Sequence, residues 1–415
     1  MAVPKLRFKE FDGDWSNKKI GNIASKVGSG STPRGGAEAY TDHGIIFIRS
    51  QNVNNDQLLL DDVAYIPEET HVKMSGSKVI ANDILLNITG ASIGRSCVVP
   101  HDFTEANVNQ HVCIIRTPND DPIFVQSFLS SENGQNAIQS KQAGGGREGL
   151  NFQAIRSIDF HFPPSKAEQT KIASFLSAVD EKISQLTQKH ALLSQYKQGM
   201  MQKLFSQQIR FKADDGSDFG EWEEVRLGNL VDLTSGFAFK SDFFSEDGNK
   251  LITPKNFTTT GKANFTDTNT KWTTEISDKK YICRPNDLLV LLTDLTQSCE
   301  LLGKPILLSQ DDGNVLLNQR IVKIIPNRKL EKPFLLYLLL TDDFHELIVS
   351  TASGTTVKHS SNKVLQNFHF YLPCLEEQTK IANFLSAIDQ KIEVVAQQIE
   401  QDKQWKKGLL QQMFV

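Results

Sequence analysis

The stretch that decides the fold is residues 168–183, EQTKIASFLSAVDEKI, which recurs at residues 377–392 as EQTKIANFLSAIDQKI. The two copies are identical at 13 of 16 positions. The match continues without a gap to a KxGxxQ motif, which begins at Lys197 in the first copy and at Lys406 in the second. Similarity of this kind at a fixed distance marks an internal repeat. The chain therefore contains two copies of one long element.

The periodicity of the repeated element predicts a helix. Apolar residues recur at alternating steps of four and three from Ile172 to Leu204, and again from Ile381 to Met413, as in a coiled-coil seam. Lys197 and Lys406 interrupt the two seams at the same place, where a polar residue lowers stability but can fix register and partner choice. We predict long helices over residues 166–206 and 374–415.

The segments that precede the helices, residues 1–165 and 207–373, also correspond to each other. They share landmarks such as Trp15 and Trp222, or Asn109-Gln110 and Asn318-Gln319. Short β-rich runs separated by Gly, Asn and Asp turns, with a helix-like stretch near residues 122–131, predict a mixed α/β domain in each segment. The predicted order is domain, helix, domain, helix.

Composition places the chain among ordinary globular proteins. Of its 415 residues 39% are hydrophobic and 23% are charged, which excludes disordered and collagen-like chains. No apolar run approaches the roughly 18 residues of a membrane span, and the start lacks an apolar signal core. Five cysteines without a CxxC pair favour reduced thiols. We expect a cytoplasmic protein.

Between the shared landmarks the two domains differ strongly, as in IRSQNV at residues 48–53 against ITPKNF at residues 252–257. With the paired helix starts and the paired KxGxxQ ends, the whole chain resembles the DNA specificity subunit of type I restriction-modification systems. The resemblance implies two α/β target recognition domains, each reading one half of a split DNA site. It also implies that the two helices pack antiparallel as a spacer, about a pseudo-twofold.

The resemblance further implies partners. The helices would dock two methyltransferase subunits, optionally with restriction and motor subunits, and S-adenosylmethionine would bind the methyltransferases. A coiled-coil scaffold, or a stand-alone DNA-binding regulator without methyltransferase partners, is the alternative.

Catalytic motifs fail on inspection. Phe162-Pro163-Pro164-Ser165 lacks both flanking residues of the loop by which adenine methyltransferases hold a flipped base. Residues 144–149 fit GxGxxG but precede a strand-like run instead of joining a strand to a helix. His345-Glu346 has no second His at Val349, so the zinc-hydrolase motif is absent. We expect no catalytic residues and no metal site.

The charge distribution limits how the chain binds DNA. Residues 1–165 carry 15 basic and 18 acidic residues, and residues 207–374 carry 19 and 22, so neither domain is basic overall. Because phosphate neutralisation dominates nonspecific affinity, basic groups must be concentrated on one face or supplied by partners. Gly- and Ser-rich loops suit an approach to phosphate, while Arg, Asn and Gln can read base edges. The predicted DNA contacts are Lys26, Ser29, Ser31, Thr32, Arg34, Arg49, Ser50, Gln51, Asn52, Arg147, Lys240, Lys255, Asn256, Arg320, Lys358 and His359.

The helices carry more apolar surface than one antiparallel pair can bury, which predicts partner helices in a four-helix arrangement. The predicted partner contacts are Phe175, Leu176, Val179, Ile183, Tyr196, Phe384, Leu385, Ile388, Ile392 and Trp405.

Overall fold

The computed structural model describes residues 3–54, 56–142, 149–275, 278–294, 296, 298–355 and 357–414. The chain divides into two compact units, Met1–Gln188 with Val395–Val415, and Lys189–Val394. The unit boundaries fall inside the two long helices, α6 (Lys166–Phe205) and α10 (Leu375–Met413). Each unit therefore holds one α/β domain, the first half of the helix that follows it, and the last half of the other helix.

The first domain contains two four-stranded sheets, with strand orders β6-β3-β10-β7 and β2-β11-β8-β9, and the two-stranded pairs β1-β12 and β4-β5. Its strands are β1 (Ser16–Lys19), β2 (Lys26–Ser29), β3 (Ile45–Ile48), β4 (Val53–Asn54), β5 (Gln57–Leu58), β6 (Ala64–Ile66), β7 (Lys78–Val79), β8 (Ile84–Asn87), β9 (Ser96–Val98), β10 (Ala106–Val108), β11 (Val112–Arg116) and β12 (Asp159–Phe162). Its helices are α1 (Ile20–Ile23), α2 (Glu68–Lys73), α3 (Pro122–Ser130), α4 (Glu132–Ser140) and α5 (Phe152–Ser157).

The second domain repeats this plan, with strand orders β15-β17-β16-β22-β18 and β14-β23-β19-β21, and the pairs β13-β25 and β20-β24. Its strands are β13 (Glu223–Arg226), β14 (Val231–Ser235), β15 (Phe244–Ser245), β16 (Asn249–Ile252), β17 (Lys271–Thr273), β18 (Ile282–Cys283), β19 (Leu288–Leu291), β20 (Thr293–Asp294), β21 (Pro305–Leu307), β22 (Val315–Leu317), β23 (Ile321–Pro326), β24 (Lys358–His359) and β25 (His369–Leu372). Its helices are α7 (Lys332–Leu339), α8 (Asp342–Ser350) and α9 (Asn362–Gln366). The mixed α/β prediction is confirmed for both domains.

The central strands are apolar throughout because both of their faces are buried. In β8, Ile84 and Leu86 join a core that includes α3 and the long helices, whereas Leu85 joins a second core between the two sheets. In β19 of the second domain, Leu288 and Leu289 divide in the same way. Period-2 side-chain alternation thus serves two cores at once.

Within each unit the helix segments run antiparallel, as predicted. In the first unit the ring centroids of Phe175 and Trp405 lie 6.1 Å apart. Lys182, further along α6, pairs at 2.9 Å with Asp402, which lies earlier on α10. In the second unit the last turns of α6 share a core with the first turns of α10.

The repeated Glu-Gln pair anchors each helix start to its domain. Glu168 is fully buried and accepts hydrogen bonds from Arg7 Nε at 2.7 Å and Trp15 Nε1 at 3.3 Å. Gln169 Oε1 accepts the backbone N–H of Asp121, the residue that caps α3, at 2.9 Å. The second unit repeats these bonds at Glu377 and Gln378. The Glu168 carboxylate is thereby committed to the domain.

The seam lysines sit in charged layers that differ between the units. Lys406 on α10 pairs with Asp180 on α6 at 2.6 Å, and with Asp56 of the first domain at 2.9 Å. Asp56 also accepts hydrogen bonds from Gln126 and Ser130 on α3. This layer therefore joins both helices to the domain.

In the second unit the corresponding lysine has a different set of neighbours. Lys197 on α6 pairs with Asp389 on α10 at 2.6 Å and lies over the ring of Tyr337, 5.2 Å from its centroid. The Tyr337 hydroxyl donates to Asp389 at 2.8 Å. The domain contributes a phenol here and a carboxylate in the first unit.

Candidate nucleic-acid interface and helix surface

A buried amide fixes the turn that follows β3 in the first domain. Asn52 is 2% exposed, and its Oδ1 accepts the backbone N–H of Arg49 at 2.9 Å. Its Nδ2 donates to the carbonyls of Leu59 and Asp62. Since these bonds use both ends of the buried amide, Asn52 holds the turn and does not face the solvent from which DNA would approach.

The second domain has the same turn after β16. Asn256 is fully buried, its Oδ1 accepts from the backbone and hydroxyl of Thr253, and its Nδ2 donates to the Asn264 carbonyl. Asn256, also predicted as a DNA contact, therefore holds its turn in the same way and does not face solvent. These two asparagines build the turn, and their neighbours in the turn are the residues that face solvent.

Three of the predicted contacts in the first turn remain accessible. Gln51 is exposed and donates to Asp62 Oδ2 at 2.7 Å, while Ser50 is half-buried. The Arg49 guanidinium lies 3.6 Å from the same carboxylate, and its buried Nε has no hydrogen-bond acceptor among the described residues. In the second turn Lys255 is exposed. The matched turns thus present different side chains on the same backbone frame.

The loop over residues 29–34 lies beside the first turn. The Gly30 N–H donates to the Asn109 carbonyl at 3.1 Å, and the Asn109 N–H donates to the carbonyl of Ile48, the last residue of β3. Ser29 is half-buried, whereas Ser31, Thr32 and Arg34 are exposed. The structure therefore places this loop and Arg49 at the same end of the domain.

Lys26 does not belong with that loop. It begins β2, where it pairs with Arg116, while Ser29 at the other end of the strand pairs with Cys113. The Lys26 ammonium donates to the Lys78 carbonyl at 3.2 Å, and burial, with Arg116 nearby, lowers its pKa. Lys26 therefore lies at the opposite end of β2 from the loop, and its contact with DNA stays a prediction.

In the second domain the predicted contacts gather around β20. The Arg320 carbonyl accepts the N–H of Leu292, directly before β20, at 3.0 Å. Lys358 pairs with β20 in the two-stranded sheet, and His359 Nδ1 lies 3.0 Å from Thr293 Oγ1. Arg320 and Lys358 are half-buried and His359 is exposed. These three residues share one region of the domain surface.

Two further predicted contacts lie elsewhere. Lys240 is exposed on a separate loop, where its backbone N–H donates to the Glu275 carboxylate at 2.8 Å. Arg147 lies outside the described residues.

Sequence reasoning missed a polar chain at the same end of the first domain. Thr32 Oγ1 donates to Gln110 Oε1 at 2.6 Å, Gln110 Nε2 lies 3.0 Å from His111 Nε2, and His111 Nδ1 lies 2.6 Å from Thr89 Oγ1. In the sequence, Gln110 belongs to a landmark that both domains share, because Gln319 repeats it. The signal available in the sequence was that His111 and Arg320, directly after these glutamines, differ.

Four of the predicted partner contacts on the helices are not available to a partner. Leu176 and Val179 are at most 4% exposed within the core of the first unit, and Leu385 and Ile388 at most 5% within that of the second. These four side chains line the core of their own unit, because each helix seam packs against its own domain as well as the other helix.

The remaining predicted partner contacts keep some exposure. Phe175, Ile183, Phe384 and Ile392 are half-buried, while Trp405 is 48% and Tyr196 51% exposed. In the first unit Phe175 packs between Phe8 and Trp405. The aromatic side chains that flank the helix seams are therefore partly exposed to solvent in both units.

The described residues contain no group of three or more His, Cys, Asp or Glu side chains placed to hold a metal ion. Among them, no helix is both long and apolar enough to span a membrane. Burial raises the pKa of the Cys113 thiol to about 12 and raises that of Cys97 further, whereas Cys374 is exposed.

Comparison with known proteins gives a consistent family. A family model described as the type I restriction modification DNA specificity domain matches residues 12–195 and again residues 220–403. The chain is 28% identical over 358 residues to the type I restriction enzyme MjaVIII specificity subunit of Methanocaldococcus jannaschii, covering 82% of this chain and 80% of that protein. It is 21% identical to the putative MjaX specificity subunit of the same organism, covering 98% and 94% of the two chains.

The fold has solved counterparts. The crystal structure of a type I restriction-modification S subunit from M. genitalium superposes with a TM-score of 0.62 at 17% identity, covering 100% of this chain and 99% of that one. These findings do not favour the scaffold or stand-alone regulator alternative. With one specificity-domain match in each half, this chain belongs to the type I restriction-modification DNA specificity family, as a specificity subunit.

Proposed function

We propose that each domain reads one half of a bipartite, asymmetric DNA site and that the chain thereby directs adenine methylation, and restriction, by partner subunits. One observation carries this proposal. The turns after β3 and β16 have the same buried asparagine frame, yet present Arg49 and Gln51 in one domain and Lys255 in the other. A shared frame with unshared exposed polar groups is suited to reading two different sequences.

Arg49 supports direct readout most strongly. Its side chain is 35% exposed, and its Nη2 lies 3.6 Å from Asp62 Oδ1, outside hydrogen-bond range. Guanine O6 and N7 would supply acceptors in the planar geometry that a guanidinium matches.

The proposal is tested with the chain assembled with methyltransferase subunits and a DNA library randomised over both half-sites. Arg49→Ala is expected to relax the preference at one base pair of one half-site by about 5- to 100-fold. Lys255→Ala serves as the matched change in the second domain and should affect only the other half-site. A uniform loss over all sequences in either variant would mark a phosphate contact instead. Absence of any sequence preference in the unmodified complex would refute the proposed function.

The partners proposed for the helices are two methyltransferase subunits, which would bind S-adenosylmethionine and carry out the chemistry, with restriction and motor subunits as optional additions. The chain itself is proposed to be non-catalytic and to act in the cytoplasm, where the DNA lies. The open aromatic flanks around Trp405 and Tyr196 support docking, since exposed aromatic groups are enriched at interfaces.

Replacing Trp405 and Tyr196 together by Ser tests the docking. We expect loss of methyltransferase co-purification from a chain that still folds, with a thermal midpoint that is only modestly lowered because both side chains are about half exposed. Tyr371→Ser is the matched control, since Tyr371 is equally exposed at 51% but belongs to β25 and not to a long helix. Normal co-purification of the double variant would contradict a docking role for these flanks.

A further inference from the structure

Gln110 is an exposed side chain that is nevertheless held in one orientation. It directly follows the buried Asn109 beyond the end of β10, and its amide lies between Thr32 and His111. His111 is fixed in turn by Thr89, at 2.6 Å. Three side chains from three different segments therefore determine the plane of one surface amide.

Holding an exposed side chain in one orientation costs free energy, and stability alone does not offset that cost. Ordering a glutamine costs up to about 2 kcal/mol of rotamer entropy, and a solvent-exposed amide recovers little of that through hydrogen bonds that water could supply. Preorganisation of this kind reduces the entropy that a ligand must otherwise offset on binding. The held amide is thus better explained by recognition than by stability.

The two side chains that hold the Gln110 amide, Thr32 and His111, are called the clamp. The clamp leaves free the amide groups that a base edge would need. The amide oxygen has two acceptor sites and the amide nitrogen two donors. Thr32 occupies one acceptor site and His111 one donor, so one N–H and one lone pair remain on the amide. Adjacent donor and acceptor groups of this kind match N7 and N6–H of adenine in the major groove.

The second domain keeps the glutamine but lacks the clamp. Gln319 follows Asn318 and is exposed. Ser29 pairs with the fourth residue after Asn109, and Ser235 pairs with the fourth residue after Asn318, so the two serines correspond. Ala238, three residues after Ser235, therefore takes the place of Thr32, three residues after Ser29. Arg320 takes the place of His111. The glutamine is common to both domains, whereas the groups that orient it belong to the first domain alone.

We propose that Gln110 is a specificity-determining residue that reads an adenine in the half-site of the first domain, with Thr32 and His111 as positioning residues. This inference rests on the proposed function and names one of its contacts. The second domain, in which Ala238 and Arg320 replace the two positioning residues, does not make this contact.

The test measures the relative methylation of a library in which the first half-site is randomised, with the assembled chain and methyltransferase complex. Gln110→Ala is expected to reduce the A·T preference at one base pair by about 5- to 100-fold and to leave the second half-site unchanged. Thr32→Val, which removes the hydroxyl at nearly constant volume, should weaken the preference at the same base pair by a smaller factor. Gln319→Ala is the matched control and should relax no adenine preference.

The outcomes separate the two proposals. If the unmodified complex has a sequence preference and the Gln110→Ala complex has the same preference, Gln110 does not read the base. The proposed function is then left intact. A uniform loss of binding in Gln110→Ala, equal at every base pair, overturns it as well and assigns Gln110 to the DNA backbone. An effect of Thr32→Val at a different base pair would overturn the clamp. Unmodified complex without any preference refutes the proposed function itself.

Discussion

The two units use identical helix-start anchors but different lysine layers. Glu168 and Glu377 each hold an arginine and a tryptophan of their own domain. Lys406, by contrast, has two carboxylate partners, whereas Lys197 has one carboxylate and an aromatic ring. The difference teaches that the joint between domain and following helix is fixed, while the contact with the other helix is adapted to each domain.

The largest loss of stability is expected from variants that break the helix-start anchor shared by the two units. Glu168→Gln leaves the Arg7 guanidinium, whose side chain is 12% exposed, without its charge partner, and should cost about 3 kcal/mol of unfolding free energy. Glu377→Gln should cost a similar amount through Arg210. Urea unfolding of both variants measures the two losses. A loss in one variant more than about 2 kcal/mol larger than in the other would contradict the equivalence of the anchors.

The next effect sharpens the contrast between the lysine layers. Lys406→Met leaves Asp56 and Asp180 facing each other without a cation, and we expect a loss of about 2–3 kcal/mol. Lys197→Met leaves only Asp389, which keeps its hydrogen bond from Tyr337, so about 1–2 kcal/mol is expected. The same denaturant titration ranks them. A larger loss for Lys197→Met would refute the proposed difference.

The dependence of the unfolding free energy on pH in the acid range depends on Asp180. Burial, with Asp56 nearby, raises the pKa of Asp180 above its ordinary value of 3.8 despite the opposing effect of Lys406. Because the folded state then binds the proton more tightly than the unfolded state, this group makes stability fall as pH rises from about 3.8 through the raised pKa. Subtracting the pH profile of Asp180→Asn from that of the unmodified protein should isolate this slope. A difference profile that rises with pH there would contradict it.

At alkaline pH, Lys406 determines whether stability rises or falls with pH. Burial alone would lower its pKa, but Asp56 and Asp180 together raise it above 10.5. Its contribution should therefore be complete below about pH 10.5 and lost as pH rises through the folded-state pKa. Unfolding midpoints measured between neutral and alkaline pH, with Lys406→Met as control, would show this loss in the unmodified protein alone.

The smallest effect concerns a half-exposed ion pair of the first unit. Lys182, with a side chain 58% exposed, pairs at 2.9 Å with Asp402, whose side chain is 13% exposed, whereas Leu193 occupies the position of Asp402 in the first helix copy. Lys182→Ala should cost about 1 kcal/mol, and less at high salt. Lys391→Ala, the same change in the second helix, provides the comparison. Equal losses in both variants would show that the ion pair contributes nothing measurable.

The sequence predicted the helices and the α/β domains because their signals are local. A seam with steps of four and three extends over ten positions, and apolar strand runs sit between turn residues. Burial of individual seam residues was not predictable, since Leu176 and Phe175 are adjacent and both apolar, and only the packing of the domain against the helix covers one of them fully.

The candidate interface was predicted less well because its contacts are distant in sequence. Asn52 looked like a base-reading amide, and nothing local reveals that it bonds to the backbone at Leu59 and Asp62. The reverse holds for Gln110, whose clamp residue Thr32 lies 78 positions away. Chemistry of a residue type indicates what a side chain can do, while the fold decides whether it is free to do it.

Asp56 has a consequence for how such chains diversify by recombination. It lies in the left-handed region at φ 59°, four residues after Asn52, and reaches Lys406 from within the first domain. A gene fragment that replaced the first domain without an acidic residue at this turn would leave Lys406 dependent on Asp180 alone. A fragment replacing the second domain would leave the Lys197 and Asp389 pair intact, since both belong to the helices. Each exchanged domain thus has one group to supply, a carboxylate in place of Asp56 or a phenol in place of Tyr337.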